Sequence, residues 1–160
     1  THVDITRRKE MEEVLREMGY STEKQLFKQI VYKGEMLKIA GTPDASSKNH
    51  VIELKTCKKI PRQPYDSHLM QLNTYLWMTN CDVGYLVYIC KVTGEVKVFD
   101  VTFNYNKLHE FLERALTLKY HLKSKQPPPI ERSGMCTFCE WKRRGSKSIV
   151  YENDRKQLPQ

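Results

Sequence analysis

Two acids and a lysine stand close together in this chain. Asp44 closes the run Gly41-Thr42-Pro43-Asp44, and eight residues later comes Glu53-Leu54-Lys55. The second group lies in Val51-Ile52-Glu53-Leu54-Lys55, whose apolar–polar alternation predicts a strand with Glu53 and Lys55 on one face. The intervening Ala45-Ser46-Ser47-Lys48-Asn49-His50 is short and polar and reads as turn material between two adjacent strands. Such a hairpin would bring Asp44 beside Glu53. Two carboxylates so held repel unless a cation lies between them. Hard oxygen ligands on a small open site suit Mg²⁺ or Mn²⁺. Lys55 next to that ion could help deprotonate a water or stabilise charge developing on a phosphate. On spacing alone, the same residues also describe a solvated hairpin with a surface ion pair.

A second constellation follows at Gln71-Leu72-Asn73-Thr74-Tyr75. Positions i and i+4 share a helix face, so Gln71 and Tyr75 can act together on a helix predicted over residues 66–79. His68 falls on that face or is a helix-surface histidine. Leu69, Met70, Leu72, Leu76 and Trp77 are the core candidates of the same helix.

Pro43-Asp44, then Glu53-Leu54-Lys55-Thr56, then Gln71-x-x-x-Tyr75 resemble, in that order, the PD-(D/E)xK nuclease superfamily in its RecB-like branch, which includes CRISPR-associated and viral exonucleases. The resemblance covers roughly residues 1–140. It implies an α/β, restriction-endonuclease-like fold with an αβββαβ core and a central mixed sheet flanked by helices. It also implies a Mg²⁺- or Mn²⁺-dependent deoxyribonuclease that hydrolyses phosphodiesters by in-line attack. Asp44 and Glu53 would hold the metal with the Leu54 carbonyl. His2 is either a further ligand from an upstream helix or an unordered terminal residue. Lys55 would position the attacking water or stabilise the phosphorus centre, while Gln71 and Tyr75 support the site, with Tyr75 against the nucleic acid.

The elements that must position these residues can be read around them. Residues 4–19 predict a helix with an apolar stripe of Ile5, Met11, Val14, Leu15 and Met18, stopped at Gly19. Its acids Glu10, Glu12 and Glu13, and Glu23 beyond it, read as solvated. Strands are predicted over 25–33, 36–40 and 51–56. Gly41 would permit a close approach that a side chain would block. Residues 83–90 form a near-continuous apolar run, hence a central strand. A hairpin partner over 96–101 and a helix over 106–123 complete a core of residues 1–126.

Net charge is +8 over 160 residues, which points to a polyanionic partner. The expected partner is DNA, single-stranded or with free ends, since no module for reading base pairs is evident. Lys58, Lys59 and Arg62, in a proline-bearing loop after the Glu-x-Lys strand, could hold its backbone or be ordinary solvated loop. Lys142, Arg143 and Arg144 near the C-terminus are read the same two ways. The segment 127–160, basic and proline-led, also carries Cys136-x-x-Cys139. Related nucleases bind an iron–sulfur cluster through four cysteines. Here no cysteine follows Cys139 and none precedes Cys57, so the set is incomplete and no cluster is expected. Five irregularly spaced cysteines, with no signal-peptide pattern and no run long enough to span a bilayer, suggest an intracellular protein without a membrane. Two rival readings remain: an RNA endonuclease of the same superfamily, and a catalytically idle nucleic-acid-binding module.

Overall fold

The computed structural model describes residues 2–127, with side chains from Arg8 onward. Its elements run α1 (His2–Glu17), β1 (Ser21–Thr22), β2 (Leu26–Tyr32), β3 (Glu35–Gly41), β4 (Ala45–Ser46), β5 (His50–Cys57), α2 (Asp66–Thr79), β6 (Val83–Cys90), β7 (Val96–Thr102) and α3 (Tyr105–Ser124). Five strands form a mixed central sheet in the order β1-β4-β5-β6-β7. Only β5 and β6 are parallel, and α2 makes the crossover between them. β6 has a partner on both edges, as its continuous apolar run requires.

Alternation along β5 sorts its side chains between two layers. Ile52 and Leu54 join Leu15 of α1, Val87 and Ile89 on one side of the sheet. Val51 joins Leu72, Tyr75 and Leu76 of α2 on the other. Glu53 and Lys55 follow Val51 in phase, so they project toward α2. Gly84 sits where β6 passes under that helix. A Cβ there would lie 2.9 Å from the Val51 carbonyl oxygen and 3.0 Å from Leu72 Cδ1, so a side chain would push the layers apart.

Two sequence expectations are corrected here. The strand over residues 36–40 is not the neighbour of the Glu-x-Lys strand. β3 pairs along its whole length with β2 in a separate two-stranded sheet, turned at Lys33 and Gly34, both at positive φ. This hairpin puts Tyr32, Leu37 and Ile39 against Leu108, Leu112 and Leu116 of α3. Nor is the 45–50 spacer all turn. Ala45 and Ser46 form β4, which pairs with Ile52 and Val51 and carries β1 on its outer edge. The short hairpin that delivers Asp44 is therefore β4–β5.

The helices end as their sequences direct. Gly19 at φ +88° closes α1, where the Gly19 and Tyr20 amides donate to the Arg16 and Leu15 carbonyls. Asn80 closes α2 from the left-handed region. Among the described residues no helix is long and apolar enough to cross a membrane.

Candidate active site

β4 covers the edge of β5 only at Val51 and Ile52. Two residues further on, that edge is open, and the Leu54 amide donates to Asp44 Oδ2 at 2.7 Å. Asp44 thus fills a strand-edge position with its carboxylate. It is buried, 7% exposed, and its Oδ1 is taken by the Arg8 guanidinium of α1. Arg8 also donates from Nε to Glu12 Oε1 at 3.3 Å. Glu12 is 6% exposed and has a second cation, Arg16, at 3.8 Å. This overturns its reading as a solvated acid. Arg8, Glu12 and Leu15 recur at helical spacing, so the face that buries Leu15 carries Glu12 inward as well. Val14 and Met18, counted in the apolar stripe, are instead exposed.

Glu53 is 4% exposed. Its Oε1 accepts from Lys55 Nζ at 2.8 Å, and its Oε2 is buried with no hydrogen-bond partner. Burial pushes the Glu53 carboxyl above the ordinary carboxylate range, and the charge of Asp44 pushes the same way. Lys55 opposes both. Lys55 Nζ also donates to Gln71 Oε1 at 2.7 Å, and Gln71 Nε2 donates to the Tyr75 hydroxyl at 3.3 Å. One polar chain thus runs Glu53–Lys55–Gln71–Tyr75 from the sheet to α2. Tyr75 lies against Gly41, the residue that ends β3. A Cβ on Gly41 would come within 2.6 Å of Tyr75 Cε1, which is the close approach expected of that glycine.

The other expected site residues are placed as follows. Leu54 lies between Glu53 and Lys55 on β5, with its side chain buried on the opposite face of the sheet. Lys58, Lys59 and Arg62 are exposed in the loop leaving the β5 end that bears Lys55. His68 does not join Gln71 and Tyr75. Its Nδ1 bonds the Tyr88 hydroxyl at 2.7 Å, and burial, with the charge of Lys55, holds its ring below the usual histidine range. The side chain of His2, and Cys136, Cys139, Lys142, Arg143 and Arg144, lie outside the described residues. Sequence reasoning missed Arg8 and Glu12, although their i, i+4 spacing was the available signal.

The donor set fits a small divalent cation in part. A buried, partnerless carboxylate oxygen beside a second buried carboxylate offers lone pairs that a cation would take up. Among the described residues, no three His, Cys, Asp or Glu side chains converge as a metal cluster. Two carboxylates and a carbonyl match Mg²⁺, which keeps several waters and phosphate oxygens as ligands.

Comparison with known proteins covers the same part of the chain. The family model described as the PD-(D/E)XK nuclease superfamily matches residues 7–99, a span that contains Asp44, Glu53, Lys55, Gln71 and Tyr75. A protein named CRISPR-associated exonuclease Cas4, from Saccharolobus solfataricus, is 38% identical over 73 residues, which are 42% of this chain and 36% of that protein. The crystal structure of SSO0001 superposes with a TM-score of 0.60 at 27% identity, over 79% of this chain and 61% of the other. The match therefore spans about a third of the first relative's length and about three fifths of the second's.

Proposed function

This chain belongs to the PD-(D/E)XK nuclease superfamily, in its RecB-like branch, and we propose that Asp44, Glu53 and Lys55 make it a divalent-metal-dependent deoxyribonuclease. The observation that carries the reading is Glu53 Oε2: buried, ionisable, without a partner, and beside the carboxylate of Asp44. A module that only binds nucleic acid gains nothing from such a group, since a buried carboxylate oxygen without a hydrogen bond costs stability and negative charge repels phosphate.

In this reading Asp44, Glu53 and the Leu54 carbonyl hold Mg²⁺ or Mn²⁺, with His2 as a further ligand. A divalent ion bound there supplies a water of lowered pKa and neutralises charge on the phosphate. The remaining work belongs to the side chains. The ion pair to Glu53 and the bond to Gln71 fix the Lys55 ammonium, which then faces the developing negative charge with little reorganisation. Gln71 is fixed in turn by the Tyr75 hydroxyl. Arg8 donates to both Asp44 and Glu12 and so orients the Asp44 carboxylate that would hold the metal. Lys58, Lys59 and Arg62, and Lys142, Arg143 and Arg144 further on, bind the DNA backbone.

The test is digestion of end-labelled single-stranded DNA, duplex DNA and RNA of one sequence, in Mg²⁺, Mn²⁺ or EDTA. The expected result is metal-dependent cleavage of DNA, fastest on the single strand. Cleavage of RNA alone would make the chain a ribonuclease. Binding without cleavage in either metal would make it an idle module.

A further inference from the structure

Cys57 closes β5 and Cys90 closes β6, and the parallel register of the two strands sets them directly opposite each other. Both side chains fall on the face that looks at α2. Cys57 follows Glu53 and Lys55 in phase and packs against the cluster of Val51, Leu72 and Tyr88, while Cys90 follows Leu86 and Tyr88 of that cluster. Neighbouring strands lie about 4.8 Å apart, inside the Cα separation of about 4.4–6.8 Å that a disulfide spans. Each thiol reaches across to the other strand. Cys57 Sγ donates to the Ile89 carbonyl at 3.7 Å and Cys90 Sγ to the Lys58 carbonyl at 3.3 Å. Both are free thiols, and they differ in access: Cys57 is half-buried and Cys90 is 4% exposed. They differ in acidity too. Hydrogen bonds from the Thr93 side chain and from the Thr93 and Val92 amides hold the Cys90 thiol below the usual range, while burial, with Cys90 beside it, pushes Cys57 up.

We propose that Cys57 and Cys90 form an oxidation site, a dithiol that closes as a disulfide across the ends of β5 and β6 when the protein meets a hydroperoxide. The partly exposed Cys57 takes up the oxidant. Its thiolate attacks one peroxide oxygen, an S–O bond forms, the O–O bond breaks, and the departing hydroxide takes a proton to become water. The Cys90 thiolate, nearly closed to solvent but beside Cys57, then attacks the sulfenic sulfur of Cys57. The S–S bond forms as the S–O bond breaks, and the departing hydroxide becomes a second water. In all, two thiols lose two electrons and one hydrogen peroxide is reduced to two waters. The position of the bridge gives it a consequence. The loop it closes contains the whole of α2, with Gln71 and Tyr75, and Lys55 lies two residues before it on β5. A bridge there constrains the unfolded chain and ties the crossover to the sheet, so the oxidised protein is the more stable form. Cys81 lies before β6, at the other end of that strand, with its Sγ directed to the Lys48 carbonyl, and does not compete. The assignment is independent of the nuclease reading.

The test treats the full, reduced chain with millimolar hydrogen peroxide. Peptide mapping by mass spectrometry without reductant reads the linkage, and thermal unfolding reads its effect. The wild type is expected to give a peptide pair joined through Cys57 and Cys90 and to melt several degrees higher, with dithiothreitol reversing both. Cys90→Ser is expected to give neither the linkage nor the rise, and to carry Cys57 on to sulfinic acid. Cys57→Ser changes the half-buried position and serves if the buried Cys90→Ser does not fold; in it Cys90 should stay a free thiol. Two free thiols at 57 and 90 in the peroxide-treated wild type would overturn the proposal. So would linkage of Cys57 to Cys136 or Cys139 in place of Cys90, or a Cys57–Cys90 linkage that leaves the melting temperature unchanged.

Discussion

Glu53 shows how the site trades stability for chemistry. Its carboxyl titrates above the ordinary range because burial and Asp44 both disfavour its charge. Between the unfolded and folded pKa values, the folded state keeps a proton that the unfolded chain releases. The metal-free protein therefore loses stability as pH rises through that window. Glu53→Gln removes this slope and keeps an oxygen for Lys55. We expect the variant to melt higher than wild type near neutral pH in EDTA, and to converge with it in acid, while losing cleavage. Parallel melting curves across that range would contradict this. At this scale the convergence of Asp44, Glu53, Lys55 and Gln71 was legible, because their type and spacing place them on one strand edge and one helix face. Glu12 was not. In an acid-rich helix, local sequence does not say which acid the tertiary fold covers, and only docking beside Asp44 distinguishes Glu12 from its exposed neighbour Glu13.

Among the elements, the strands and helices with strong periodicity were readable to within a few residues, and α2 spans the predicted 66–79. What failed were the pairings. β4 has two residues, too few for any period, yet it sets the register that brings Asp44 to the open edge of β5. β3 was misassigned to the main sheet because alternation reveals a strand but not its partner. One contact between elements was also invisible: Asn73, 1% exposed on α2, accepts from the Asn104 amide at the start of α3 and donates to the Leu69 carbonyl at 2.9 Å. Asn73→Ala leaves the Asn104 amide unpaired and should cost about 1–3 kcal/mol. Denaturant unfolding measures the loss, and amide exchange should show α3 opening first. Unchanged stability would mean that water replaces the asparagine at no cost.

Across the described residues, the polar chain from Glu53 to Tyr75 joins the sheet to α2, and a groove beside it extends to α3 and the β2–β3 hairpin. The excess of positive charge is a general attraction for polyanions. Net charge was legible from composition. The groove was not, because it needs β3 beside α3, and that neighbour relation is absent from local sequence.

Lys55 binds Glu53 and Gln71, and in the proposed function it faces the scissile phosphate. The decisive measurement is cleavage of end-labelled single-stranded DNA in Mg²⁺ and Mn²⁺ by wild type and by Lys55→Ala, with binding of the same strand measured in EDTA. The account predicts a cleavage loss of about 10²-fold or more, with binding changed by only a fewfold. Cleavage that survives the substitution would contradict it and would put the active site elsewhere in the chain.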